Sequence, residues 1–171
     1  MSNPVLMAYA TRNGSTQEIA DAVAATLREN GCTVENVPVR EVHTLDKYSA
    51  VVLGAPLYMF HWPKDARRFL ARHRAALNKR PVALFALGPF HDDAKEWQDV
   101  RKQLDKELLK FPWLSPVAQA IFGGKFDPAK LGFPLSLIPA LKKMPATDIR
   151  NWDQIRLWAS DLAATFKASK G

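Results

Sequence analysis

Residues 5–31 read VLMAYATRNGSTQEIADAVAATLRENG, and the architecture follows from this stretch. Pro4–Ala10 is a compact apolar run of strand length. Ser15–Asn30 places Ile19, Val23 and Leu27 four apart, the spacing of one helix face. Gly31 stands where a helix-ending glycine belongs. A strand that passes through a short loop into an amphipathic helix is the first half of a strand–helix–strand unit.

The same alternation continues downstream. Thr33–Val39, Ala50–Tyr58, Pro81–Leu87 and Pro116–Phe122 read as further strands, with Ala50–Tyr58 central because it is the most apolar. Pro63–Lys79 reads as a helix, with Pro63 in a first turn and Phe69, Leu70 and Leu77 inward. Asp92–Lys110 carries Trp97, Val100, Leu104 and Leu108 on one stripe. Asp148–Lys167 carries Trp152, Ile155, Ala159, Leu162 and Phe166 on one face. Strand and helix alternating through short connections predict a parallel sheet covered on both faces. Gly123–Met144 interrupts the pattern as an insert that a five-stranded wrap does not need. Its apolar piece (Phe133, Leu135, Leu137, Ile138, Leu141, Met144) is broken by Pro134 and Pro139 and followed by Lys142 and Lys143.

Composition bounds the rest. The 171 residues suit a single domain with one sizeable core, and 47% hydrophobic with 24% charged residues is globular usage. Cys32 is the only cysteine, which excludes an internal disulfide and a four-cysteine zinc site. No apolar run reaches the roughly 18 residues of a spanning helix. The N-terminal run has no basic segment before it, so a signal peptide is not expected and the expected location is the cytoplasm. The net charge of +7 points to an anionic partner.

Thr11-Arg12-Asn13-Gly14-Ser15-Thr16 lies where the first strand gives way to the first helix. Small hydroxyl residues around a glycine let backbone amides converge, and a helix N-terminus adds its dipole, which suits a phosphate. The loop is neither G-x-x-x-x-G-K-[ST] nor G-x-G-x-x-G, so nucleoside triphosphates and NAD in their usual modes lose support. The competing reading is a plain helix cap, because S-T-Q-E resembles a capping box. Two more loops end strands at the same sheet edge: Gly54-Ala55-Pro56-Leu57-Tyr58-Met59-Phe60-His61-Trp62 and Leu87-Gly88-Pro89-Phe90-His91. Rich in glycine, proline and aromatics, they suit a flat ring system. The competing reading makes Tyr58, Phe60, Trp62 and Phe90 core residues.

With three such loops, VLMAYATRNGSTQEIADAVAATLRENG resembles the opening of the flavodoxin-like family, whose first loop holds the FMN phosphate with a T/S-x-T-G-x-T-type sequence. Thr11, Gly14 and Thr16 match, while Arg12 and Asn13 replace small hydroxyl residues. Arginine there is similar to the branch of menaquinone-dependent protoporphyrinogen IX dehydrogenases. VVLGAPLYMFHWPKDARRFLARH, AIFGGKFDPAKL, the insert ending LKKM and TDIRNWDQIRLWASDLA extend that resemblance.

The resemblance implies a three-layer flavodoxin-like sandwich with strand order 2-1-3-4-5 and a helical insert near 123–144. It implies that Thr11, Arg12, Asn13, Gly14, Ser15 and Thr16 hold the FMN phosphate. Pro56, Leu57, Tyr58, Met59 and Phe60 would line one side of the isoalloxazine, and Gly88, Pro89 and Phe90 would form the third loop. Pro56-Leu57-Tyr58 and Phe60 depart from the smaller or polar residues expected in that branch, which touches the substrate more than the cofactor. The implied function is an FMN-dependent oxidoreductase that takes electrons from a protoporphyrinogen-type substrate and passes them to a quinone. The alternatives are a flavodoxin-type electron carrier, which the basic charge disfavours, and a domain of this fold that has lost FMN and only binds a partner.

Lys64, Arg67, Arg68, Arg72, Arg74, Lys79 and Arg80 face only Asp65 in the run Pro63–Arg80. This run suits an acidic small molecule or the inner face of a membrane, as a peripheral contact, or is simply a solvated helix face. No nucleic-acid motif accompanies it, so nucleic acid is not expected. His43, His61, His73 and His91 show no metal-ligand spacing, and no metal is expected. His61 and His91 fall in the proposed flavin loops, as proton-exchange candidates or as surface residues.

Overall fold

Every residue of β1 (Val5–Tyr9) is buried, as a strand covered on both faces must be. The computed structural model describes residues 3–11, 14–57, 61–133 and 135–170. β1 pairs in parallel with β2 (Val34–Pro38) and β3 (Ala50–Pro56). β4 (Val82–Leu87) and β5 (Ala118–Phe122) continue the parallel sheet in the order β2-β1-β3-β4-β5.

The two-residue period of the strands sorts the core into two layers. Val5, Met7, Tyr9, Val52 and Phe85 pack with Ile19, Val23 and Leu27 of α1 (Ser15–Glu29) and with Ile155, Leu162 and Phe166 of α6 (Trp152–Ala168). Leu6, Ala8, Val51, Leu53 and Leu84 face the other layer. That layer holds α2 (Lys64–Arg72), α3 (Arg74–Leu77) and α4 (Ala94–Leu108), which contribute Phe69, Leu70, Leu77 and Leu104. Gly31 adopts φ +88°, the left-handed turn expected after α1.

Several boundaries differ from the expected ones for local reasons. The helix expected over Pro63–Lys79 is two helices, broken at His73, whose φ of −103° and ψ of 17° leave the helical region. α6 begins at Trp152, not Asp148, because the Asn151 carboxamide accepts from the Gln154 amide at 3.1 Å and caps it. α4 begins at Ala94 because Asp93 Oδ1 accepts from the Lys95 and Glu96 amides at 2.7 and 3.2 Å.

The insert is less helical than expected. It opens with β6 (Lys125–Phe126), which pairs antiparallel with β7 (Thr147–Asp148). Between them lie single 3-10 turns at Pro128–Lys130 and Leu135–Leu137 and the one-turn α5 (Pro139–Lys142). Pro128 and Pro139 each open a turn, where a missing amide hydrogen costs nothing. Among the described residues no helix is long and apolar enough to cross a membrane, and no cluster of His, Cys, Asp and Glu could hold a metal.

Candidate functional site

The strand order reverses between β1 and β3, so a crevice opens at their carboxyl ends, where ligands of open parallel sheets sit. The loop after β1 reaches that crevice. Thr11 Oγ1 accepts from the Gly14 amide at 2.9 Å and closes the loop. Gly14 precedes α1 at φ +85°, a left-handed conformation that favours glycine, and among the described residues no atom beyond its chain neighbours lies within 4 Å of where a β-carbon would stand. Gly14 has no side chain to cap with, so the first-turn amides of α1 have no side-chain cap among the described residues. The capping box is not formed, because Glu18 lies one residue too far and bonds Arg150 instead. Ser15 lines the crevice, while Thr16 is only 1% exposed. Arg12 and Asn13 lie outside the described residues.

Leu57 of the second loop and Phe90 of the third also line the crevice. The carboxyl ends of the strands are laced together: Leu57 donates to Leu87 O at 2.9 Å, and Gly88 donates to Phe122 O at 3.0 Å. Gly88 and Pro89 are not among the lining residues. Pro89 O accepts from the Gly124 amide at 2.9 Å, joining the third loop to the root of the insert. Pro56 closes β3, and Tyr58, Met59 and Phe60 lie outside the described residues. Trp62 is 2% exposed and belongs to the core.

Sequence reasoning found the insert but did not place it. The insert folds over the crevice and makes it a cleft of about 280 Å³. Ser15, Glu18, Leu57 and Phe90 form one side, and Lys125, Phe126, Asp127, Lys130, Leu131, Leu135, Ile138 and Leu141 form the other. Leu135, Ile138 and Leu141 recur every three residues, and that recurrence was the available signal. The Phe90 and Phe126 ring centroids are 5.5 Å apart, so the third loop and the insert share an aromatic wall.

A cation with a largely covered side chain ties the insert's return to α1. Arg150 donates from Nε and Nη2 to Asp148 at 2.9 and 2.7 Å, and from Nη1 to Glu18. These bonds hold both carboxyls below their ordinary pKa values, with the Arg150 hydrogen bond the main cause in each case.

The basic run lies elsewhere, on the α2–α3 side, and none of it lines the cleft. Arg80 donates to Ala76 O and Tyr48 O at 2.8 Å each and also to Leu45 O, which is a structural role. Arg67 lies 4.0 Å from the buried Glu107, Arg74 sits 5.6 Å from the Trp113 ring, and Asp65 is engaged by Arg40 at 3.1 Å. His61 is exposed beside Glu107 at 3.6 Å, and His91 is exposed beside Glu96 at 3.4 Å. Neither histidine lines the cleft.

The sequence matches the Flavodoxin domain family over residues 6–145. It is 27% identical over 169 residues to the protoporphyrinogen IX dehydrogenase [quinone] of Escherichia coli strain K12, covering 92% of this chain and 93% of that protein. It is 24% identical over 174 residues to the protoporphyrinogen IX dehydrogenase [quinone] of Leishmania major, covering 93% of this chain and 74% of that protein. In three dimensions it resembles a short-chain flavodoxin associated with a non-canonical PDU bacterial microcompartment. That superposition has a TM-score of 0.63 at 13% identity and covers 100% of both chains.

Proposed function

The chain belongs to the Flavodoxin domain family, and from that premise we propose that it binds FMN non-covalently and oxidises protoporphyrinogen IX with a quinone as acceptor. The observation that carries this reading is the roofed apolar cleft at the β1–β3 crevice, closed by an insert that a five-stranded wrap does not need. The names of the relatives in Escherichia coli and Leishmania major support the substrate and the acceptor.

The residues fit the cofactor. Gly14 and the first turn of α1, which no side chain among the described residues caps, present backbone amides, the donor set a phosphate requires. Thr11, Arg12, Asn13, Gly14, Ser15 and Thr16 are the residues we assign to the phosphate. Pro56, Leu57, Tyr58, Met59 and Phe60 are assigned to one side of the ring system, with Gly88, Pro89 and Phe90 as the third loop. When bound, FMN supplies reversible electron and hydride acceptance, which no side chain of this protein can provide. The chain's own work is to bind and to exclude water. Thr11 fixes the loop by accepting from Gly14, and Leu57, Phe90, Phe126 and Ile138 make a dry wall. No side chain need act as a nucleophile.

The insert supports a peripheral contact with the membrane that would carry the quinone. Phe133 is 81% exposed and Leu137 68% exposed, and residues 128–147 contain Lys130, Lys142 and Lys143 but no acidic residue. Exposed apolar side chains beside lysines suit an anionic bilayer surface.

The test is optical. Purified protein mixed with FMN is expected to quench flavin fluorescence and to retain a visible flavin spectrum after gel filtration. Under anaerobic conditions protoporphyrinogen IX is expected to bleach that spectrum, and a menaquinone analogue to restore it. No quench and no retained flavin would sink the reading. Retained flavin that protoporphyrinogen IX fails to bleach would make the protein a carrier of the flavodoxin type.

A further inference from the structure

The Arg150 side chain is 6% exposed, and all three of its guanidinium nitrogens are engaged: Nε and Nη2 by Asp148, Nη1 by Glu18. The guanidinium lies 4.8 Å from the centroid of the Trp152 ring. Glu18 stands in the first turn of α1 and lines the same cleft as Ser15. A carboxylate in a first turn is itself drawn to the positive end of the helix dipole, and it repels any second anion brought there. Lys125 and Lys130 are close enough to act on Glu18, but neither bonds it among the described residues.

Resting on the FMN reading above, we propose that Arg150 is a positioning residue for the anion seat at the α1 N-terminus. It fixes and neutralises Glu18, so that the cradle of first-turn amides faces the phosphate without a competing carboxylate. The same guanidinium binds Asp148 of β7, so the return strand of the insert and the first turn of α1 are held by one side chain. Mobile lysines cannot substitute for it, because a planar fork presents several donors in fixed directions and an ammonium does not.

The test measures FMN dissociation constants by fluorescence quenching, with inorganic phosphate as a competing anion. Binding of FMN by the wild type tests the function proposed above, and the variants test Arg150. Arg150→Met is expected to weaken FMN about tenfold, because it frees an unpaired carboxylate beside the phosphate. Adding Glu18→Gln to Arg150→Met is expected to restore the affinity to within about threefold of wild type. A purely structural role predicts no rescue, and that result overturns the proposal, as does unchanged affinity in Arg150→Met. Glu18→Gln alone removes an exposed charge and keeps the fold available should Arg150→Met not fold. It is expected to change FMN affinity less than about threefold, since that charge is already cancelled. A larger gain would show that Glu18 opposes the phosphate in the wild type and would overturn the proposal.

Discussion

Gly88 and Val100 are packed so closely that a β-carbon on Gly88 would lie 2.2 Å from Val100 Cγ1. The glycine that follows β4 is thus required by α4, whose Val100 packs against it. Gly54 of β3 is required by the neighbouring strand instead, where a β-carbon would meet Phe85 Cζ of β4 at 2.1 Å. A neighbouring side chain approaches the backbone this closely only where the residue beneath it has no side chain of its own.

Gly88→Ala is expected to destabilise the protein by about 1–3 kcal/mol through overpacking. Gly88→Ala with Val100→Ala is expected to recover part of that loss, because the second change empties the space the first one needs. Urea midpoints of the two variants against wild type measure both effects.

Thr11→Glu is expected to abolish FMN binding. Thr11 Oγ1 accepts from the Gly14 amide, and glutamate would remove that bond and place a negative charge beside the first turn of α1. Fluorescence quenching reads the outcome, and an unchanged dissociation constant would remove the first loop from the proposed site.

Acid is expected to weaken the clamp around Arg150. Glu18 and Asp148 have folded pKa values below their ordinary 4.5 and 3.8. A carboxyl with a depressed folded pKa stabilises fully above its unfolded value and loses that contribution as pH falls through its folded value. The urea midpoints of wild type and Arg150→Met should therefore differ most above about pH 4.5 and converge below 3.8. Glu18 and Asp148 are 54% and 41% exposed, so solvent keeps the difference small. A gap that widens in acid would contradict the assignment.

Phe133→Ser with Leu137→Ser is expected to lower co-sedimentation with vesicles of phosphatidylglycerol and phosphatidylcholine while leaving the thermal midpoint unchanged. Both side chains are exposed and outside the core, so their loss removes no internal contact of weight. Lys142→Glu with Lys143→Glu should have the same effect on anionic vesicles, and raised salt should mimic it. Equal sedimentation of wild type and both variants would exclude the insert as a membrane contact.

The layers of this protein were legible in its hydrophobic pattern. Ile19, Val23 and Leu27 sit four apart because one helix face must meet the sheet, and all three are fully buried. The continuous apolar run Ala50–Ala55 is buried because β3 lies between β1 and β4 with helices on both faces. The junction of β1 and α1 around Thr11, Gly14 and Ser15 was legible because strand, glycine and helix start lie within a few residues of one another. The capping box could not be judged from its letters, since which residue precedes the first helical one depends on the left-handed turn at Gly14.

What sets this site apart from a plain strand–helix wrap was beyond such patterns. Periodicity reports contacts between residues a few positions apart, and these are dictated by the local geometry of strand and helix. The roof of the cleft depends on the insert folding back across the sheet edge, and its clamp joins Arg150 to Glu18 across 132 residues. Gly88 and Pro89 read as part of the third loop, and only the fold shows that Val100 leaves no room for a side chain at Gly88 and that Pro89 O accepts from the Gly124 amide. The positive surplus of Lys64–Arg80 read as a contact for an acidic molecule or a membrane or as a solvated face, and only the fold shows that it lies on and just after α2 and α3, away from the cleft. Chain order thus carried the fold, because a parallel wrap is built from consecutive units. The make-up of the cleft depended on packing between distant segments, because charge and shape meet there only after the chain has closed on itself.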